Sequence, residues 1–186
     1  MPILKLVANR LQLRLAVSSD MEAIHDLLAK PETDRFNALG IPENLEATKT
    51  LMLAQIEENK QENPANYTFT IEELNSNAFI GLLGFKLGSP KYKTAEIWYK
   101  LNHEYWNKGF ATEAVIRIIE FGFSNLKLHR ISAGCATANV GSYKVLEKAG
   151  MLREGLSRQL IPLKTGWSDC YEYAILADDF KNKKSI

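Results

Sequence analysis

Tyr105-Trp106-Asn107-Lys108-Gly109-Phe110-Ala111-Thr112-Glu113-Ala114 is the stretch on which the reading of this chain turns. It predicts a tight turn at Asn107–Gly109 that opens directly into a helix. The first N–H groups of a helix have no intrahelical partners, and the helix dipole adds partial positive charge there, which suits a phosphate. Gly109, with no Cβ, lets backbone approach a ligand closely, and Lys108 places a cation beside it. Downstream come Asn139-Val140-Gly141-Ser142-Tyr143-Lys144 and Glu147-Lys148-Ala149-Gly150-Met151, a second helix start with a glycine at its far end. A phosphate turn followed by an Asn/Ser helix start points to a phosphate-bearing cofactor with a reaction beside it.

Working outward, strands and helices follow from local pattern. Leu11–Leu15 alternates apolar and polar residues, as a half-buried strand does. Ser18 or Ser19 is placed to cap a helix with Met21, Ile24, Leu27 and Leu28 on its buried stripe. Residues 31–42 are polar and broken by Gly and Pro, hence a loop, and Asn44 caps a second helix that reaches Asn59. Residues 67–71, 78–86 and 93–101 predict an antiparallel meander, with Gly81 and Gly84 marking bulges or close contacts. The helix after Gly109 extends to Leu126, with Glu113, Arg117, Glu120 and Ser124 on its polar face.

A short buried strand at 131–136 leads to a helix at 139–148 with Gly150 as its C-cap. Two last strands, 152–162 and 168–176, flank the turn Lys164-Thr165-Gly166. The predicted order is β-α-α-β-β-β-α-β-α-β-β. That is a single α/β domain over 1–186, with a mixed, mostly antiparallel sheet and helices on both faces. Its core spans 10–180, and the basic tail 181–186 is expected to be frayed and solvated.

Composition excludes several classes. A chain of 186 residues can bury a substantial core, and its net charge of +1 supplies no field toward nucleic acid or anionic lipid. No apolar run approaches the roughly 20 residues of a spanning helix, and residues 1–10 lack the features of a signal peptide. The expectation is a cytoplasmic protein without direct contact to nucleic acid or membrane. Cys135 and Cys170 fall in strand-like runs and are expected as small buried residues rather than a disulfide. They lie far apart with no Cys-x-x-Cys. His25, His103 and His129 read as surface or loop-edge residues without metal spacing, so no metal site is expected.

Neither a P-loop nor a dinucleotide fingerprint is present. The chain instead resembles the GNAT superfamily of acetyl-CoA-dependent N-acetyltransferases, in particular the branch of the Rim-type ribosomal-protein N-acetyltransferases. The superfamily's pyrophosphate loop, Gln/Arg-x-x-Gly-x-Gly/Ala, stands here as Trp106-Asn107-Lys108-Gly109-Phe110-Ala111. Relative to the branch's Trp-Gly-Lys-Gly-Tyr-Ala-Thr-Glu-Ala, the chain differs at Asn107 and Phe110; Asn enters left-handed conformations more easily than most residues. Also similar are Ala95 to Leu101, His129-Arg130-Ile131, Asn139-x-x-Ser142, Leu146-Glu147-Lys148-x-Gly150-Met151, Arg153-Glu154-Gly155 and Gly166-Trp167-x-Asp169-x-Tyr171-x-Tyr173. The resemblance runs in unbroken order from Leu11 to Phe180 and is informative about cofactor more than substrate.

The resemblance implies roles. The N–H groups of Asn107, Lys108, Gly109, Phe110, Ala111 and Thr112 would bind pyrophosphate. The strand ending at Tyr99–Leu101 would splay from the Ile131 strand and pair with pantetheine, Leu101 N–H donating to the thioester carbonyl. Asn139 would hold the pantetheine arm, cap its helix, or both. Many members carry a tyrosine acid seven residues after this Asn, where this chain has Leu146. The Rim-type branch has a serine three after it, here Ser142, which would stabilise the sulfur or relay a proton; its other reading is a small packing residue. Tyr143 faces away and reads as packing. Glu96 is the candidate base, a carboxylate inside a sheet whose raised pKa would suit an amine, or else a paired structural charge. Glu32, Asp34 and Asp169 either line the substrate side or are solvated loop charges.

The leading expectation is acetyl transfer to a primary amine, a protein N-terminal α-amine, directly in a ternary complex, since no cysteine sits in a motif suited to an acetyl intermediate. A small-molecule amine is the alternative acceptor, and a CoA-responsive binding domain the non-enzymatic one. An open groove near Phe36, Trp98 and Trp167 would favour peptides, a closed pocket metabolites. A monomer or a homodimer is compatible with the resemblance.

Overall fold

The structure, a computed structural model, describes residues 4–184. Among them eight strands form one sheet: β1 (Lys5–Val7), β2 (Leu11–Leu15), β3 (Asn66–Glu73), β4 (Phe79–Leu87), β5 (Thr94–Leu101), β6 (Arg130–Ala136), β7 (Leu152–Leu163) and β8 (Gly166–Leu176). Their spatial order is β1-β2-β3-β4-β5-β6-β8-β7. All neighbours are antiparallel except β5 and β6. The helices are α1 (Met21–Leu28), α2 (Pro31–Asp34), α3 (Leu45–Glu58), α4 (Phe110–Ser124), α5 (Val140–Ala149) and α6 (Ala177–Lys184). The expected α/β class with helices on both faces is what the structure shows.

Period-two alternation sorts the strand side chains into two cores. On β4, Leu83 and Phe85 join Ile97 of β5 and Val115, Ile118 and Ile119 of α4 in the larger one. Leu82 and Trp98 face the other way, against Met21, Ile24 and Leu28 of α1 and Met52 and Ile56 of α3. Gly84 makes room for this second face, since a Cβ there would strike the Trp98 indole. A Cβ on Gly81 would strike the Lys100 carbonyl. Both glycines therefore mark close contacts.

The local signals at α3 and α5 hold to the residue. Asn44 Oδ1 accepts from Ala47 N at 2.9 Å, and Gly150 ends α5 at φ 92°. Several expectations are corrected. Neither Ser18 nor Ser19 caps α1: a short 3-10 turn over Ser18–Asp20 precedes it, and Asp20 takes the Val17 N–H at 2.8 Å. Asp20 wins because its carboxylate also pairs with Arg14. The 31–42 loop contains α2, which Pro31 starts at its first position. β1 has no counterpart in the sequence reading, because three residues with one buried side chain carry too little pattern. The tail is helical to Lys184, and residues 185–186 of the expected frayed segment lie outside the described ones. His25, expected at the surface, is partly buried in α1 with Nδ1 2.7 Å from Thr48 Oγ1.

Candidate active site

β5 and β6 pair only from Thr94↔Arg130 to Glu96↔Ser132. Each then follows its other neighbour, β5 to Leu101 against Gly81 and β6 to Ala136 against Cys170. The sheet therefore splits between 97–101 and 133–136. Asn102 N bonds Ile80 O at 2.9 Å on the β4 side, whereas Ala95 O receives Ser132 Oγ at 3.3 Å on the β6 side. Two-residue periodicity then turns the N–H groups of Tyr99 and Leu101 into the split. The Leu101 carbonyl, on the same side, accepts the Trp106 indole N–H at 2.8 Å. One indole thus ties the end of the split to the turn that follows.

That turn is held in left-handed backbone at two points, Asn107 (φ 58°) and Gly109 (φ 83°). Gly109 is the N-cap of α4 and no side chain caps it. The first helical bond runs from Glu113 N to Gly109 O at 3.1 Å, which leaves the Phe110, Ala111 and Thr112 N–H groups ahead of the ladder. Arg10, in the bend between β1 and β2, braces the turn. Its Nη1 donates to Lys108 O at 3.0 Å, its Nε to Glu113 Oε2 at 2.8 Å, and its guanidinium lies 4.6 Å from the Phe110 ring centroid. Lys108 is exposed, with Nζ 5.7 Å from the Tyr105 ring centroid. The turn can hold an anion with backbone N–H groups.

Beyond the split stands the N-terminus of α5. Asn139 Oδ1 accepts from Ser142 N at 3.1 Å, so Asn139 caps the helix while lining the same cleft as Ser142. Tyr99 reaches across from β5, its hydroxyl 2.9 Å from Ser142 Oγ and donating to Ser142 O at 3.1 Å. Burial pushes the Tyr99 phenol well above its ordinary value, with the Ser142 bond opposing. Burial likewise pushes the Cys135 thiol up to about 11. Leu146, where other members would carry a tyrosine acid, is fully buried core. A phenol does stand beside Ser142, supplied by β5 instead of α5. Tyr143 packs edge-on against Tyr171 at 6.0 Å.

The split opens onto a cleft of about 360 Å³. Its walls on the α1–α3 side include Leu28, Phe36, Met52, Trp98 and Lys100. Among the described residues that line it there is no Asp, Glu or His. Glu96 is exposed, opposite Ser132 where β5 and β6 still pair, and lies outside the cleft. It stands inside the sheet as expected, between Lys86 and Ser132, but its side chain is exposed instead of desolvated. Trp167 is 66% exposed and also lies outside. Glu32 is exposed, and Asp169 accepts the Gln159 N–H at 2.8 Å within the β7–β8 hairpin. Asp34 is buried and pairs with Lys164 of the β7–β8 turn at 2.6 Å. No cluster able to hold a metal occurs among the described residues.

The acetyltransferase (GNAT) domain profile matches residues 10–152. The chain belongs to this family. It is an acetyl-CoA-dependent N-acetyltransferase of the GNAT fold, and its second substrate is an amine. The uncharacterized N-acetyltransferase YnaD of Bacillus subtilis (strain 168) is 32% identical over 94% of this chain and 98% of its own length. A GNAT-family acetyltransferase crystal structure from Bacillus anthracis superposes with a TM-score of 0.81 at 32% identity, covering 94% of this chain and 99% of that one. The structure of RimL, a ribosomal L7/L12 α-N-protein acetyltransferase in complex with coenzyme A, superposes with a TM-score of 0.84 at 20% identity, covering 95% and 99%. No helix among the described residues is long and apolar enough to cross a membrane.

Arg10 and the Tyr99 hydroxyl are site features that sequence reasoning misses. Arg10 meets Glu113 across 103 residues, and no local pattern announces such a pair. The sequence assigns Tyr99 a role through its backbone alone. Its alternation with Ile97 and Leu101 is the available signal that its side chain faces α4 and α5.

Proposed function

We propose that this GNAT enzyme acetylates the α-amine at a protein N-terminus, by direct attack in a ternary complex. The observation that carries this reading is the cleft behind the β5–β6 split, apolar-walled and free of carboxylates among its described lining residues. A polyamine brings several charges, each costly to desolvate without a carboxylate partner. A peptide N-terminus brings a single ammonium and one variable side chain to the walls of Phe36, Met52 and Trp98. The RimL activity enters as analogy of fold.

In this reading the N–H groups of residues 107–112 hold the pyrophosphate, with Lys108 contributing little beyond them. The Tyr99 and Leu101 N–H groups hold the pantetheine arm, and Leu101 N–H donates to the thioester carbonyl. Asn139 contacts the arm through the side chain that also caps α5. Bound there, acetyl-CoA supplies the activated acetyl group. The raised Tyr99 phenol stays protonated across the neutral range, so the Tyr99–Ser142 hydroxyl pair presents a proton to the departing sulfur. The raised Cys135 thiol is a poor nucleophile, which supports direct transfer over an acetyl-cysteine intermediate.

The test is CoA release with peptides carrying free N-termini, the same peptides N-blocked, and spermidine. Turnover with free peptides alone, and intersecting double-reciprocal plots, are expected. Release with spermidine and none with any peptide sinks the acceptor assignment.

A further inference from the structure

We propose that Lys100 takes the proton from the acceptor amine: it lines the cleft beside the β5–β6 split, on the same strand face as Trp98. The proposal rests on the cleft being where the amine is acetylated, whichever amine that is. It places the base inside the cleft, whose lining does not include the exposed Glu96.

An amine arriving as an ammonium must lose a proton before its lone pair can attack. Two other titratable side chains line the cleft, Tyr99 and Cys135, and burial pushes both upward, so neither presents a base near neutrality. Lys100 goes the other way. Burial lowers it to about 8, against the Asp34 carboxylate, which raises it. Its ammonium makes no hydrogen bond or direct ion pair among the described residues. Such a lysine is neutral in a usable fraction at mildly alkaline pH.

The surrounding charges fit a proton that comes and goes. Asp34 of α2 is buried, with Oδ2 on Lys164 and Oδ1 without a hydrogen-bond partner. An unused acceptor oxygen on a buried carboxylate calls for an explanation, and the charge that Lys100 gains is one. Lys30 is engaged with Asn102 Oδ1 at 3.0 Å. The cleft residues from α1 and α3, among them Leu28, Met52 and Gln55, are uncharged.

The step balances. Neutral Lys100 Nζ takes one proton from the acceptor ammonium. The freed nitrogen pair forms the C–N bond to the acetyl carbon as the C–S bond breaks. Sulfur leaves with that bond's electrons and takes up the second nitrogen proton, through the Ser142 and Tyr99 hydroxyls. Lys100 then returns its proton to solvent.

The experiment is kcat against pH at saturating acetyl-CoA and peptide, for the wild type, Lys100→Met, Lys100→Arg and Asp34→Asn, with CoA affinity by calorimetry as the control for folding. The wild-type kcat is expected to rise tenfold per pH unit and level off above about 8. Lys100→Met and Lys100→Arg should lose that limb and about 100-fold in kcat, with CoA affinity retained. Asp34→Asn removes a charge that raises Lys100, so its limb should move to lower pH. This shift is one that a merely structural lysine would not produce. A wild-type limb in Lys100→Met, or a limb in Asp34→Asn that stays put or moves up, overturns the proposal. So does a KM rise confined to acceptors bearing a carboxylate with the limb intact, which would make Lys100 an anchor. Ser142→Ala separates the two readings: if it too leaves kcat unchanged, the cleft assignment has failed and not Lys100 alone.

Discussion

Replacing Gly109 separates the backbone strain of the anion turn from its electrostatics. Gly109 sits at φ 83°, and a methyl placed there would meet only Arg10 Nη2, at 3.2 Å, a contact relieved by a shift of a few tenths of an ångström. Sterics are therefore cheap and the cost of Gly109→Ala is conformational, about 1–2 kcal/mol for a left-handed non-glycine residue. At about 2–4 °C per kcal/mol for a domain of this size, Tm should fall by about 2–8 °C. Gly109→Glu carries the same strain and the same Tm change, plus a negative charge at the proposed pyrophosphate site. At about 4 Å and an effective dielectric constant of about 20, that repulsion is about 4 kcal/mol, about a thousandfold in Kd. Scanning calorimetry and CoA titration calorimetry read the two effects apart. Gly109→Ala should hold CoA within about tenfold of wild type, and Gly109→Glu should abolish measurable binding. A Glu variant that melts as expected yet binds CoA within threefold of wild type would refute the placement of phosphate on this turn.

Three further outcomes follow from the geometry. Tyr99→Phe and Ser142→Ala should each lower kcat about 100-fold with little change in the KM for acetyl-CoA, and the double variant should lose no more than either single one, because one hydroxyl pair is removed in each case; additive losses would show two independent roles. Arg10→Ala breaks the brace on Lys108 and Glu113, and since the Arg10 side of that pair is half exposed it should cost about 0.5–1 kcal/mol and weaken CoA binding measurably by calorimetry. Gly84→Ala drives a methyl into the Trp98 indole and should cost about 1–3 kcal/mol in urea melts while raising the acceptor KM, because the indole is a cleft wall.

Much of the fold is legible because its signals are local. Asn44, Asn139 and Gly150 act within a turn of themselves, and the strands flanking the β5–β6 split alternate cleanly enough to fix which residues face which core. The turn at 107–109 is legible for the same reason: Asn107 and Gly109 are residues that accept positive φ. The rest depends on distance. Arg10 carries no local signal, and its pairing with Glu113 appears only once the fold brings the β1–β2 turn to α4. Asp34 reads as a loop charge until the β7–β8 turn brings Lys164 to it. Glu96 reads as an in-sheet carboxylate and is one, but its side chain is exposed, and strand pairing alone does not say which positions a packing layer covers. Ser18 and Ser19 are ordinary caps outcompeted by Asp20, whose carboxylate serves the turn and Arg14 together. Lys100 is marked in the sequence only by its alternation with Trp98, and its place in the cleft depends on α1 and α3 packing on that face.

The most direct measurement is tandem mass spectrometry of a peptide that carries both a free N-terminus and an internal lysine, after turnover with acetyl-CoA. Acetyl on the α-amine, with the lysine side chain unmodified, is the predicted product, and Tyr99→Phe should slow its formation. Acetyl on the lysine alone, or an unmodified peptide beside an acetylated polyamine in the same mixture, would contradict it.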